Sequence, residues 1–143
     1  MTQRWLNGIA VVADGNRACL YGDGVFETMR LTAGRIAFWS HHWQRLQTGL
    51  RRLGFPDLSE QALMSALAPA LVEDRDAVLR VSISRDGVRG YRYSADANVI
   101  IDVQLSPLPD NIWHGQSLKV RWCQTRWAQQ PLLAGIKHLN RLE

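Results

Sequence analysis

Cysteine is scarce in this chain, and its two copies, Cys19 and Cys123, stand too far apart to read as a disulfide framework or a zinc cluster. The four histidines do not fall at metal-ligand spacing with cysteines or carboxylates, so no metal site is expected. Apolar runs stay well short of a membrane span. The polar N-terminal stretch lacks a signal-peptide pattern, and the expected location is the cytoplasm, away from any membrane. Basic runs interleaved with stacking aromatics are missing too. The net charge of +4 comes almost entirely from scattered arginines, and nucleic acid is not an expected partner. Lysine is scarcer than cysteine is useful: of 17 lysines and arginines only Lys119 and Lys137 are lysines.

What is present is ordinary for a globular protein. A chain of 143 residues, 46% apolar and 21% charged, can bury a real core and is not expected to be disordered. Trp5 to Val12 reads as a strand pair turned by Asn7-Gly8, a dipeptide suited to a tight hairpin. After a turn at Asp14-Gly15-Asn16, Gly22 and Gly24 precede an extended run that sends Val25, Glu27, Met29 and Leu31 one way and Phe26, Thr28 and Arg30 the other. Both faces of that strand mix apolar and polar groups, as in a cavity-lining strand or, more commonly, an edge strand. Ala33-Gly34 turns it into a second strand over Arg35 to Trp39. Ser40 is the expected N-cap of a helix running to about Leu53 and closed by Gly54 and Pro56. Its core stripe is Trp43, Leu46, Leu50 and Leu53; beside it His42, Arg45, Gly49 and Arg52 read, by themselves, as a solvated basic face.

Ser59 caps a second helix carrying Leu63, Leu67 and Leu71, which Pro69 is expected to kink or end early. Two central strands follow, Ala77 to Arg85 and Val99 to Leu105, with Arg80 and Asp102 as a candidate cross-strand pair. The loop between them, Arg85 to Tyr91, holds more glycine than a plain turn needs. Ser117 to Cys123 alternates like a further strand with Lys119 on its surface side. Residues 1–127 are thus expected to form one domain of α+β class, an antiparallel sheet with two main helices packed against it. Residues 128–134 read as a linker and 135–143 as the start of a second unit with helical character at Asn140 to Glu143.

Lys137 is the best nucleophile candidate. It follows a proline-containing linker and sits beside Gly135 and apolar neighbours, and a desolvated amine can attack a carbonyl where a guanidinium cannot. On local sequence alone an ordinary solvated lysine is the commoner case.

Four motifs read together change that balance. Tyr21-Gly22-Asp23-Gly24-Val25-Phe26-Glu27-Thr28, His42-x-x-Arg45-Leu46, Ser84-Arg85 through Arg89-Gly90-Tyr91, and Leu133-Ala134-Gly135-Ile136-Lys137-His138-Leu139-Asn140-Arg141-Leu142-Glu143 resemble the fold-type IV pyridoxal-phosphate enzymes in order and separation. Within that class the terminal run and Arg89-Gly90-Tyr91 look most like the 4-amino-4-deoxychorismate lyases. The loop at 85 to 91 departs from them in length and in Asp86. The resemblance implies that Lys137 holds pyridoxal 5′-phosphate as an internal aldimine, that Arg45 binds its phosphate, and that His42 orients Arg45 or stands behind the phosphate. It implies a small-molecule substrate, with Thr28, Arg30, Arg89 and Tyr91 as candidate contacts, and a homodimer. The implied reaction releases pyruvate and 4-aminobenzoate, with Lys137 as the base; a D-amino-acid or branched-chain type aminotransferase and a non-catalytic isolated domain are the alternatives. The family's length implies a further C-terminal domain around the cofactor, so the chain by itself is expected to be inactive.

Overall fold

The computed structural model describes residues 3–10, 17–72, 76–87, 91–94, 96–109, 117 and 119–141. Among these residues six strands make one antiparallel sheet: β1 (Gln3–Leu6), β2 (Ile9–Ala10), β3 (Gly24–Thr32), β4 (Arg35–Ile36), β5 (Ala77–Arg85) and β6 (Val99–Pro107). Their spatial order is β2-β1-β6-β5-β3-β4, so the two long alternating strands β5 and β6 lie adjacent near the middle, as their sequence patterns require. Among the described residues three helices accompany it, the short α1 (Arg17–Tyr21), α2 (Trp39–Arg52) and α3 (Glu60–Leu71). The α+β class and the two main helices agree with the sequence reading, whereas α1 carries no sequence signal of its own.

Alternation explains the core. Val25, Met29 and Leu31 of β3, Leu79, Val81 and Ile83 of β5, and Ile101, Val103 and Leu105 of β6 are all buried, and α2 and α3 cover them with Leu46, Leu50, Leu63 and Leu67. Asn7 and Gly8 both take positive φ in the β1–β2 turn, and Ala33 and Gly34 do so in the β3–β4 turn. Ser59 caps α3 by accepting the Ala62 amide at 3.1 Å.

Several expectations are corrected. Helix α2 starts one residue before Ser40, from a left-handed Phe38 at the N-cap position with no side-chain cap. The reason is tertiary: Trp39 stacks on Trp43 and donates its indole N–H to Glu60 of α3 at 2.6 Å, which draws the first turn forward. Pro69 does not end α3, which continues to Leu71; near a C-terminus a proline removes one amide bond without dismantling the preceding turns. Residues 119–123 form no strand. Val120 and Trp122 are exposed there, and alternation without a neighbouring ladder does not make a strand. Asn140 and Arg141 are not helical either. The adjacency that an Arg80–Asp102 pair requires is present: β5 and β6 pair directly, with Arg80 opposite Gln104 and Asp102 opposite Ser82, which sets the two charges diagonally across the strands. Burial holds the Arg80 guanidinium below its ordinary range, and the charge of Asp102 opposes that shift.

Among the described residues no helix is long and apolar enough to cross a membrane, and no cluster of His, Cys, Asp and Glu is placed to hold a metal ion.

Candidate functional site

Strand alternation puts Glu27 on the helix side of β3, between Val25 and Met29, where its side chain is completely buried. A carboxylate in that position is costly unless it is paired and hydrogen-bonded. Helix α2 supplies the partners from its basic stripe. Arg45 donates Nε to Glu27 Oε1 at 2.5 Å and Nη2 to Oε2 at 2.6 Å, a bidentate fork. His42 Nδ1 lies 2.8 Å from the same Oε2. An ionised carboxylate only accepts, so Nδ1 is the ring nitrogen that carries hydrogen here.

Lys137 completes the cluster from the far end of the chain. Its Nζ lies 3.7 Å from Glu27 Oε2 and 4.9 Å from the centroid of the Phe26 ring, which also carries the Arg80 guanidinium at 4.1 Å. Three cationic or donor groups thus converge on one buried carboxylate, all three of them on Oε2. Burial alone pushes the Glu27 carboxyl up. The Arg45 and His42 hydrogen bonds, with the charges of Lys137 and Arg45, outweigh it and hold the group below the usual carboxylate range. The same hydrogen bond raises Arg45 above the ordinary guanidinium value, against the pull of burial.

The path of residues 136–141 explains how Lys137 arrives. The segment runs antiparallel beside the first residues of β3, where no other strand among the described residues covers that edge: Phe26 N–H donates to Lys137 O at 3.0 Å, Leu139 N–H donates to Gly24 O at 2.9 Å, and Val25 faces His138. Ile136 plugs into the core at 2% exposure, and Arg141 Nη2 caps its carbonyl at 2.6 Å. Gly24 is needed because a Cβ there would sit 2.3 Å from the Ile83 carbonyl oxygen and 2.8 Å from Leu139. Further along α2, Gly49 admits Val25 of β3, and Arg52 Nη1 donates to the carbonyls of Leu132 and Ala134, 3.4 and 3.2 Å away. Every member of the stripe His42, Arg45, Gly49 and Arg52 therefore faces β3 or the terminal segment, and the solvated-face reading of α2 is set aside.

The ends of the cluster differ in access. The Arg45 side chain is 44% exposed and that of Lys137 is 31% exposed, above a carboxylate with no exposure. Arg45 Nη1 has no hydrogen-bond partner among the described residues.

Of the other residues singled out by sequence, Thr28 and Arg30 are exposed on the opposite face of β3 from Glu27. Arg30 bonds Asp76 at 2.9 Å and Thr32 at 3.3 Å and does not join the cluster. Tyr91 is exposed but lines a cavity of about 250 Å³ with Tyr21, Gly22, His138 and Asn140, on the flank of the terminal segment. Arg89 lies outside the described residues. Two groups were missed. Glu27 stood inside a quoted motif, and its signal was an acid alternating in phase with three core residues. Asp23 is the other: it joins Arg17 Nε at 2.8 Å and Arg85 Nη1 at 2.7 Å, tying the Gly22–Gly24 turn to the end of β5.

The family described as Amino-transferase class IV matches residues 24–143. An aminodeoxychorismate lyase of Vibrio harveyi is 32% identical over 144 residues, covering 97% of this chain and 53% of that protein. The crystal structure of 4-amino-4-deoxychorismate lyase from Pseudomonas aeruginosa superposes with a TM-score of 0.84 at 36% identity, again over 97% of this chain and 53% of the other. The branched-chain amino acid aminotransferase of Escherichia coli gives 0.61 at 24% identity over 74% of this chain and 41% of the other, a likeness of fold alone. The chain spans about half the length of these relatives.

Proposed function

Because the chain belongs to the class IV aminotransferase family, we propose that it carries the cofactor-binding lysine of an enzyme that converts 4-amino-4-deoxychorismate to 4-aminobenzoate and pyruvate. The observation that carries this reading is the meeting of Lys137 and Arg45 on Glu27 at an accessible edge of β3. Two relatives above 30% identity, both lyases by name, favour the lyase over an aminotransferase.

The donor set fits pyridoxal 5′-phosphate. A half-exposed amine suits an aldehyde, and a guanidinium with an unpartnered Nη1 suits a phosphate oxyanion. In this reading Lys137 holds the aldehyde carbon, Arg45 holds the phosphate, and His42 buttresses both through Glu27. When bound, the cofactor supplies an electron sink for the carbon from which a proton is removed. The chain's own chemistry is then that of Lys137. With the substrate amine taking its place, Nζ would be free to accept the proton from substrate C4 and, as the ammonium, to give a proton to the departing enolpyruvyl group. Arg45 fixes the ligand so that this amine stays in line. Tyr91, beside His138 and Asn140, is the better placed of the weaker substrate candidates, and Arg30 the worse, being already paired with Asp76.

The test is spectroscopic first. Added pyridoxal 5′-phosphate should give an absorbance band near the visible edge that Lys137→Ala abolishes. Pyruvate release from aminodeoxychorismate without any added 2-oxo acid then supports the lyase; dependence on a 2-oxo acid and an amino donor would transfer the reading to an aminotransferase.

A further inference from the structure

The proposed chemistry gives Lys137 and Arg45 direct work and leaves Glu27 none, although Glu27 is the group on which both converge. We propose that Glu27 is a positioning residue for phosphate recognition. It grips the Nε–Nη2 side of Arg45 so that the Nη1 end faces the ligand, and it keeps the Lys137 amine beside that guanidinium. The proposal rests on the reading above that pyridoxal 5′-phosphate occupies this site.

Three observations carry it. First, the fork is short and bidentate, 2.5 and 2.6 Å, yet Arg45 itself is 44% exposed. An arginine that exposed ordinarily samples many rotamers, and here one side of the guanidinium is fixed to an immobile carboxylate before any ligand arrives. Second, the carboxylate has no exposure and sits on a nine-residue strand paired along its length to β5 rather than on a loop, so it is a rigid reference point. Third, Oε2 is shared by Arg45 Nη2, His42 Nδ1 and the approach of Lys137 Nζ, which sets the phosphate donor and the amine from one atom. The titratable and charged groups facing this point are His42 and Arg45 from α2, Lys137 from the terminal segment and, across the Phe26 ring, Arg80 from β5.

A negative charge beside a phosphate site is at first sight a defect, and that makes the role decidable. If Glu27 merely balanced charge, removing its charge would tighten binding of any phosphate dianion. If it merely supported the fold, its loss would weaken phosphorylated and unphosphorylated ligands alike. Positioning alone predicts a selective loss of the phosphate contribution.

The experiment titrates the full chain with pyridoxal 5′-phosphate and with pyridoxal, followed by the absorbance band, and separately with inorganic phosphate, followed by ³¹P line broadening. In Glu27→Gln the ratio of the two pyridoxal affinities should fall about tenfold, the scale of a charge-assisted hydrogen bond, and inorganic phosphate should bind more weakly. An unchanged or increased ratio overturns the proposal. If Glu27→Gln does not fold, Glu27→Asp replaces it: the charge is kept and the carboxylate drawn back by one methylene, so positioning still predicts a reduced ratio and charge balance predicts none. A wild-type chain that gives no Lys137-dependent band but binds inorganic phosphate more tightly than Glu27→Gln removes the cofactor reading and leaves the Arg45 clamp standing. A wild-type chain that binds no phosphate at all removes the clamp.

Discussion

Gly22 backs onto Asn140 so closely that a Cβ on the glycine would lie 3.0 Å from the Asn140 Cβ, and its φ of +62° is one that side chains rarely adopt. This contact joins two motifs from opposite ends of the chain. It explains why a glycine-rich turn near the start accompanies a lysine segment at the end: the first shapes the groove in which the second lies. Gly22→Ala should cost about 1–2 kcal/mol for the left-handed backbone. Gly24→Ala, whose Cβ would meet the Ile83 carbonyl oxygen at 2.3 Å, should cost more and depress soluble yield. Hydrogen exchange reads the consequence at the site, because the Phe26 and Leu139 amides that dock residues 136–141 should exchange faster in both variants. Unchanged protection at those two amides would count against the groove.

Acid should weaken the cluster. The folded Glu27 carboxyl lies below its unfolded value of 4.5, so the folded chain binds fewer protons than the unfolded one between those values. Its contribution is therefore complete above pH 4.5 and lost as pH falls through the folded value. Urea melts of wild type and Glu27→Gln at a series of pH values should show a gap of about 1–3 kcal/mol at neutrality. The gap should narrow progressively below pH 4.5. A gap independent of pH would mean that shape, not charge, accounts for the loss.

Packing of α2 on β3 makes a separate prediction. A Cβ on Gly49 would lie 2.8 Å from Val25 Cγ1, so Gly49→Ala should destabilise by about 1–2 kcal/mol despite alanine's better helix propensity. Trimming the opposing side chain should relieve that clash. In a Val25→Ala background the added cost of Gly49→Ala should shrink by at least about 1 kcal/mol, a coupling that a double-mutant cycle measures directly. Strict additivity would place the two residues out of contact.

Much of this fold was legible because its signals are local. The alternation of β5 and β6, the Asn7-Gly8 turn and the Ser59 cap are each decided within a few residues, and the structure keeps all three. The start of α2 was not legible from Ser40, because the deciding contact, Trp39 with Glu60, reaches into another helix. Lys137 stood out by its chemistry and Arg45 and His42 were selected by resemblance, and the structure brings the three together. Glu27 escaped notice for a physical reason: an acid on one face of one strand looks like an edge-strand irregularity until the cations that neutralise it are folded onto it.

Arg85 tests the same principle on the other side of the Gly22–Gly24 turn. It is 1% exposed, donates to Asp23 at 2.7 Å and to the Leu53 carbonyl at 2.5 Å, and lies between the rings of Phe55 and Tyr93 at 3.9 and 3.8 Å. Lysine cannot reproduce a planar group that stacks on two rings while bonding two acceptors. Arg85→Lys should therefore cost about 3 kcal/mol or more, close to the loss expected on breaking a buried pair. Chemical denaturation would show it, and a loss under about 1 kcal/mol would mark the stack as incidental.

Lys137→Arg separates what the amine does for the fold from what it does for chemistry. The substitution keeps a positive charge toward Glu27 Oε2, now 3.7 Å from Nζ, at a position 31% exposed where the extra bulk can turn outward. Stability should stay within about 0.5 kcal/mol of wild type, as for other half-exposed ion pairs. A guanidinium stays protonated at any accessible pH and cannot condense with an aldehyde, so the visible-edge band should vanish completely. Loss of the band with full stability makes Lys137 a chemical residue. Retention of the band would move covalent attachment to Lys119, the only other lysine, which the structure places on the exposed stretch after β6.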